Sequence, residues 1–114
     1  MASERFAEWR FVESTGSTNA DLLKSAHAGD WSTTVLVTDH QTSGRGRLER
    51  TWEDTAASSL LMSLLVSRDD VSALLPLALG LAALGAVRGR GGKECGLKWP
   101  NDLLVGDHKL AGIL

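Results

Sequence analysis

Cysteine occurs once in the 114 residues, at Cys95, so no internal disulfide forms and no thiolate zinc site can be assembled from this chain. A single thiol in that position reads as a small buried or half-buried side chain. An excess of basic charge is also lacking: 12 Lys and Arg stand against 14 Asp and Glu, a net charge of −2. That balance excludes a whole-surface nucleic-acid binder, and any anionic ligand must be held by a local cluster. No apolar run is long enough to cross a bilayer, which needs roughly 20 residues; the stretch from Ala73 to Val87 falls short and contains Pro76. The polar opening Met1–Phe6 carries no leader pattern, so a soluble cytoplasmic protein is expected. At 43 % hydrophobic and 23 % charged residues, the chain is neither disordered nor collagen-like. Its length suits one domain that buries roughly two-thirds of its extended surface.

What is present reads as alternating short strands and helices. Trp9 to Glu13 alternates apolar and polar residues, predicting a strand with one buried face. Ser14 to Asn19 is turn and cap chemistry; Ala20, Leu22, Leu23 and Ala26 then share one side of a short helix that stops near Gly29. Thr34–Thr38 and Ser58–Val66 read as buried strands. Asp69–Ser72 supplies cap residues and first-turn acids for a helix over Ala73–Arg88, apolar nearly all round and therefore expected to be covered on more than one side. Pro76 fits that helix only in its first turn. Arg88 to Lys93 is a solvated basic connector. Gly96–Pro100 and Leu103–Val105 predict short strands, and Gly106-Asp107 is hairpin-turn chemistry leading into Lys109–Leu114. The chain stops on that last alternation while it is unfinished, which predicts a truncated chain or part of a longer one.

Three stretches carry candidate chemistry. The polar segment from Asp39 to Glu53 is long for a connection and contains Arg45, Arg47 and Arg50 beside Gly44 and Gly46. Glycines let a backbone approach a ligand, and arginine forks bind phosphate or carboxylate. A solvated loop, an anion-binding flap and nucleic-acid contacts all remain open there. Neither dinucleotide nor phosphate-loop spacing is present around Gly44 or Gly92. In Lys98-Trp99-Pro100-Asn101-Asp102, the proline ends a strand so that an amide and a carboxylate emerge at its lip, fit either for a plain turn or for a sugar hydroxyl or hydrated Mg²⁺. Lys109 beside Leu110-Ala111-Gly112 is either a surface lysine or one reaching into a cleft.

In order, Ser17-Thr18-Asn19, Gln41-Thr42-Ser43-Gly44-Arg45-Gly46-Arg47, Lys98 to Asp102 and Lys109 to Leu114 resemble the motifs of biotin protein ligases. The resemblance covers nearly the whole chain and corresponds to the N-terminal portion of the catalytic domain, residues 1–114, without a DNA-binding domain, the C-terminal remainder or the small β-barrel domain. It implies an α+β fold of the class II synthetase-like biotin/lipoate ligase type, a mixed, largely antiparallel sheet with helices on one face. It also implies a ligase that activates biotin with Mg·ATP to biotinyl-5′-adenylate and passes biotin to a lysine of a biotin carboxyl carrier protein of acetyl-CoA carboxylase. By the same resemblance, Arg45, Arg47 and Lys109 are catalytic, and biotin is bound by Ser17, Thr18, Asn19, Gln41, Gly44, Arg45, Gly46, Arg47 and Lys109. Arg50, Trp52, Lys98 and Asn101 contact the nucleotide, and Asp102 the Mg²⁺. Neither nucleic acid nor a membrane is an implied partner. The chain departs from many members at Leu48-Glu49, where Glu49 is expected to pair with Arg50. A non-catalytic biotin-binding fragment and a lipoate-attaching enzyme are the competing readings.

Overall fold

Local chemistry decides where the first helix begins. In the computed structural model, which describes residues 8–66 and 74–114, Ser17 is the N-cap and its hydroxyl accepts the Ala20 N–H at 3.2 Å. Helix α1 (Thr18–His27) follows, with Asp21 in its first turn and Lys24 and His27 in its last, the order a helix dipole favours. Gly29 ends it at φ 83°.

The chain divides into two units, residues 1–67 and 68–114. In the first, strands β1 (Trp9–Val12), β2 (Val35–Thr38) and β3 (Leu61–Leu64) form a sheet in the order β1-β2-β3. β1 runs parallel to β2, with Trp9 opposite Val35, so α1 is the connection that a parallel pair requires. β2 and β3 are antiparallel, with Thr38 opposite Leu61. Val35 and Leu36 of the central strand, Leu22 of α1 and Leu61 are buried and make the core. Two strand expectations need correction. Trp9 and Phe11 are 64 % and 59 % exposed, because β1 is the edge strand and no described residue covers that face. The second strand is half-buried and shorter than Ser58–Val66: Leu61 and Ser63 face in, while Leu60 and Met62 are exposed.

In the second unit, helix α2 (Leu75–Gly89) starts with Pro76 in its first turn, where a missing N–H costs nothing. Asp69–Ser72, expected to cap it, and the polar opening Met1–Phe6 lie outside the described residues. Strands β4 (Cys95–Lys98), β5 (Asp102–Val105) and β6 (His108–Gly112) form an antiparallel meander. Gly80 lets α2 lie close on this sheet, since a Cβ there would come within 3.0 Å of Leu97 Cδ1 and 3.4 Å of Ile113 Cδ1. Leu103 and Cys95 are fully buried, which places the thiol in the first of the two environments expected, buried or half-buried. The expectation that α2 is covered on more than one side is not met among the described residues: Leu79 and Leu81 are exposed, and Gly80 is its one buried position. The two-residue turn Gly106-Asp107, with Gly106 at φ 60°, pairs Val105 with His108 and Leu104 with Lys109. A bulge between Leu103 and Leu104 then resets the register, so that Ala111 faces Leu103.

The fold class is α+β as expected. Among the described residues three of the four strand pairings are antiparallel, and the strands divide between two sheets of three. Among the described residues no helix is long and apolar enough to cross a membrane.

Candidate functional site

Most of the predicted site residues fall into two constellations, one in each unit. In the first unit the start of α1 and the strand-like segment after β2 are held side by side by backbone bonds. Thr15 N donates to His40 O at 3.1 Å, Thr42 N to Thr15 O at 2.9 Å, and Ser43 N to Gly16 O at 2.8 Å. This lattice puts Ser17, Thr18 and Asn19 against Gln41. Thr18 N donates to Gln41 Oε1 at 2.8 Å, and the Thr18 hydroxyl lies 3.1 Å from the same oxygen and 2.7 Å from Ser63 Oγ. Ser63 Oγ in turn donates to Asn19 Oδ1. Each hydroxyl has one proton. The contacts link Gln41, Thr18, Ser63 and Asn19 in one hydroxyl–amide relay, with Gln41 also held by the Thr18 backbone N–H. Ser17, Thr18 and Ser63 are buried, so a neutral, internally bonded polar floor exists here before any ligand arrives.

Beyond Gln41 the arginine loop is built rather than loose. Arg45 bridges Thr51, Trp52 N donates to Gly44 O at 2.8 Å, and Gly46 N to Arg50 O at 2.6 Å. Gly44 is buried, and a Cβ on it would stand 2.6 Å from Trp52 O, so only glycine closes this neck. At the tip a short 3-10 turn spans Arg47–Glu49, with Leu48 in the left-handed region at φ 56°. Arg45, Arg47 and Arg50 are exposed, which leaves three guanidinium groups on one ordered loop. The Glu49 side chain, expected to pair with Arg50, lies outside the described residues.

The second constellation sits on the meander. Lys98 pairs with Asp102 across the turn formed by Trp99, Pro100 and Asn101, whose Trp99–Pro100 peptide is cis. Asn101 Nδ2 donates to Ile113 O at 2.9 Å, so this amide, expected on a nucleotide, fastens the end of the chain. Lys109 Nζ lies 3.1 Å from Asp102 Oδ1, the two side chains being 44 % and 22 % exposed. That oxygen is buried and has no aligned hydrogen bond, so the contact is one of charge. The structure therefore couples two residues that the sequence placed in separate roles. Among the described residues no three His, Cys, Asp or Glu side chains converge as a metal cage.

Three residues escaped the sequence reading. Ser63 is a lone hydroxyl in an apolar strand, and that interruption was the available signal. His40 and Asp54 pair at 2.8 Å through Nδ1 and Oδ1, with no spacing that marks them in advance.

A sequence model of the biotin/lipoate A/B protein ligase family matches residues 10–114. The chain belongs to that family. It is 47 % identical to the biotin--[acetyl-CoA-carboxylase] ligase of Mycobacterium tuberculosis, over 93 % of this chain and 44 % of that protein. It is 39 % identical to the ligase of the same description from Paracoccus denitrificans, over 88 % and 43 %. Among solved structures, the biotin protein ligase from Aquifex aeolicus in complex with biotin and ATP is similar at a TM-score of 0.79 and 32 % identity, over 96 % of this chain and 46 % of that one. The Helicobacter pylori biotin acetyl coenzyme A carboxylase synthetase with bound biotinylated ATP gives a TM-score of 0.77 at 32 % identity, over 94 % and 53 %. The chain thus spans less than half the length of these two curated ligases.

Proposed function

We propose that residues 1–114 are the N-terminal portion of the catalytic domain of a biotin protein ligase. The observation that carries this reading is the neutral hydroxyl–amide floor of Thr18, Gln41, Ser63 and Asn19 beside a glycine-necked loop with three exposed arginines. A ureido group needs donors and acceptors but no charge, and the floor supplies only those. The ligands named with the similar ligases, biotin and ATP, support the same reading.

In this proposal Ser17, Thr18, Asn19 and Gln41 bind biotin, with Gly44 and Gly46 letting the backbone approach. The biotin carboxylate attacks the α-phosphate of ATP, forming biotinyl-5′-adenylate and releasing pyrophosphate. Arg45 and Arg47 cover the mixed anhydride and exclude water, while Lys109 stabilises negative charge on the carboxylate and α-phosphate. Arg50, Trp52, Lys98 and Asn101 lie along the nucleotide. Asp102 offers one carboxylate, the usual count for a Mg²⁺ ion that takes its other ligands from substrate phosphates and water; its Oδ1, 3.1 Å from Lys109 Nζ, would exchange that lysine for the ion. Bound Mg²⁺ would screen phosphate charge. A lysine of a biotin carboxyl carrier protein then attacks the anhydride carbonyl and displaces AMP. The names of the Mycobacterium and Paracoccus relatives support acetyl-CoA carboxylase as the source of that carrier. The reading takes the cytoplasm, a compartment that supplies ATP, as the place of the reaction.

Biotin-dependent exchange of labelled pyrophosphate into ATP by the purified chain tests the proposal. Exchange with biotin but not lipoate is expected. Exchange with lipoate instead would overturn the substrate, and no exchange from a folded chain would reject adenylation by this segment.

A further inference from the structure

We propose that His40 and Asp54 are positioning residues, a clasp across the neck of the arginine loop that aims Gln41 and anchors the loop at both ends. The Asp54 side chain is 1 % exposed, and a buried carboxylate persists only when its lone pairs are taken. Its Oδ1 lies 2.8 Å from His40 Nδ1, and its Oδ2 accepts the Gln41 N–H at 3.3 Å. Both partners stand just before the loop and Asp54 just after it, so one side chain ties the entry to the exit.

The entry is itself tied down. Thr38, fully buried at the end of β2, donates its hydroxyl proton to His40 O at 3.2 Å, and His40 O also accepts the Thr15 N–H at 3.1 Å. The carboxylate therefore grips a segment that β2 and the turn before α1 already orient. Gln41 is the next residue. Its backbone N–H is on Asp54 while its side-chain Oε1 is on Thr18 N, so the clasp fixes the Cα from which that amide reaches into the polar floor. Nε2 then lies on the Gly44 side, 3.1 Å from where a Cβ of residue 44 would stand.

The inference rests on the ligase reading only for the ligand that Gln41 meets; the anchoring of the loop stands without it. The test is brief trypsin treatment of the full 114-residue chain under native conditions, where cleavage after Arg45, Arg47 or Arg50 reports how often the loop opens. His40→Leu removes the imidazole. His40→Asn places an amide nitrogen near where Nδ1 lies, so it rescues a hydrogen bond without the ring. Losing a bond to a buried charge should speed loop cleavage about tenfold in His40→Leu and Asp54→Ala, with His40→Asn close to the parent and cleavage after Lys24 and Lys93 unchanged. Biotin affinity, measured by calorimetry, should weaken in the same two variants and recover in His40→Asn. Unaltered loop cleavage in His40→Leu overturns the clasp. So does an equal rise at Lys24 and Lys93, which would signify general loss of structure, or a failure of His40→Asn to rescue. A parent chain that binds no biotin while the cleavage pattern holds would overturn the ligase reading and leave the clasp standing.

Discussion

The polar floor of the first unit and the charged pair of the second solve one problem in opposite ways. Both hold functional groups still without a ligand. At Thr18 and Ser63 the groups are neutral and buried, and with the half-buried Gln41 each finds its partner inside the cluster. At Asp102 and Lys109 the groups carry charge and stay partly in solvent, where the ion pair contributes little and strand register does the positioning. A buried floor should thus be sensitive to loss of a hydroxyl. A surface pair should be sensitive to loss of the sheet beneath it.

The largest expected effect breaks that second dependence. Leu103→Ala empties a fully buried site under the meander and should lower unfolding free energy by about 3 kcal/mol in urea titration. A loss below about 1 kcal/mol would mean that the pair holds the hairpin rather than the reverse. Next, Lys109→Ala should change stability by no more than about 1 kcal/mol, yet lower biotin-dependent pyrophosphate exchange roughly a hundredfold if the lysine stabilises the reacting charge. Equal modest losses in both readouts would remove its catalytic role. Thr18→Val keeps the N–H to Gln41 but deletes the hydroxyl relay, leaving Ser63 short of a partner; a loss of about 1–2 kcal/mol is expected in the same titration. If it proved neutral, the floor would not be held by its own bonds.

The smallest effect lies outside both sites. Asp30 is held below the usual carboxylate range, first by the Ser32 hydroxyl at 2.6 Å and then by the Ser32 N–H at 3.0 Å. Its contribution is present above the ordinary carboxylate value and disappears as pH falls through the lowered one. Ser32→Ala should move the Asp30 midpoint upward in a carboxyl NMR titration. An unmoved midpoint would assign the shift to the backbone contact.

Short-range chemistry was the most legible part of the sequence. Ser17 capping α1, Pro76 in the first turn of α2 and Gly106-Asp107 joining β5 to β6 each depend on neighbours a few residues away, and each is found where the residues indicate. What an element packs against is not a local property. Alternation predicted one buried face for Trp9 and Phe11, but a period says which residues share a face and nothing of what covers it. The motif residues were recognisable individually, whereas their pairing was not. Lys109 opposite Leu104 follows from the turn, yet its meeting with Asp102 depends on the side-chain reach along the strand. Ser63, His40 and Asp54 gain meaning only from partners far away in sequence, as the 45-residue separation of Thr18 and Ser63 illustrates.

The turn at Gly106-Asp107 acts as a ruler. Side chains on a strand change faces at every step, so counting from this turn decides whether the Lys109 ammonium emerges on the same side as Asp102 or on the other. One residue more or fewer would turn the lysine inside out while leaving every motif letter intact. The length of the turn, and not only the glycine that shapes it, keeps the lysine on the carboxylate's side.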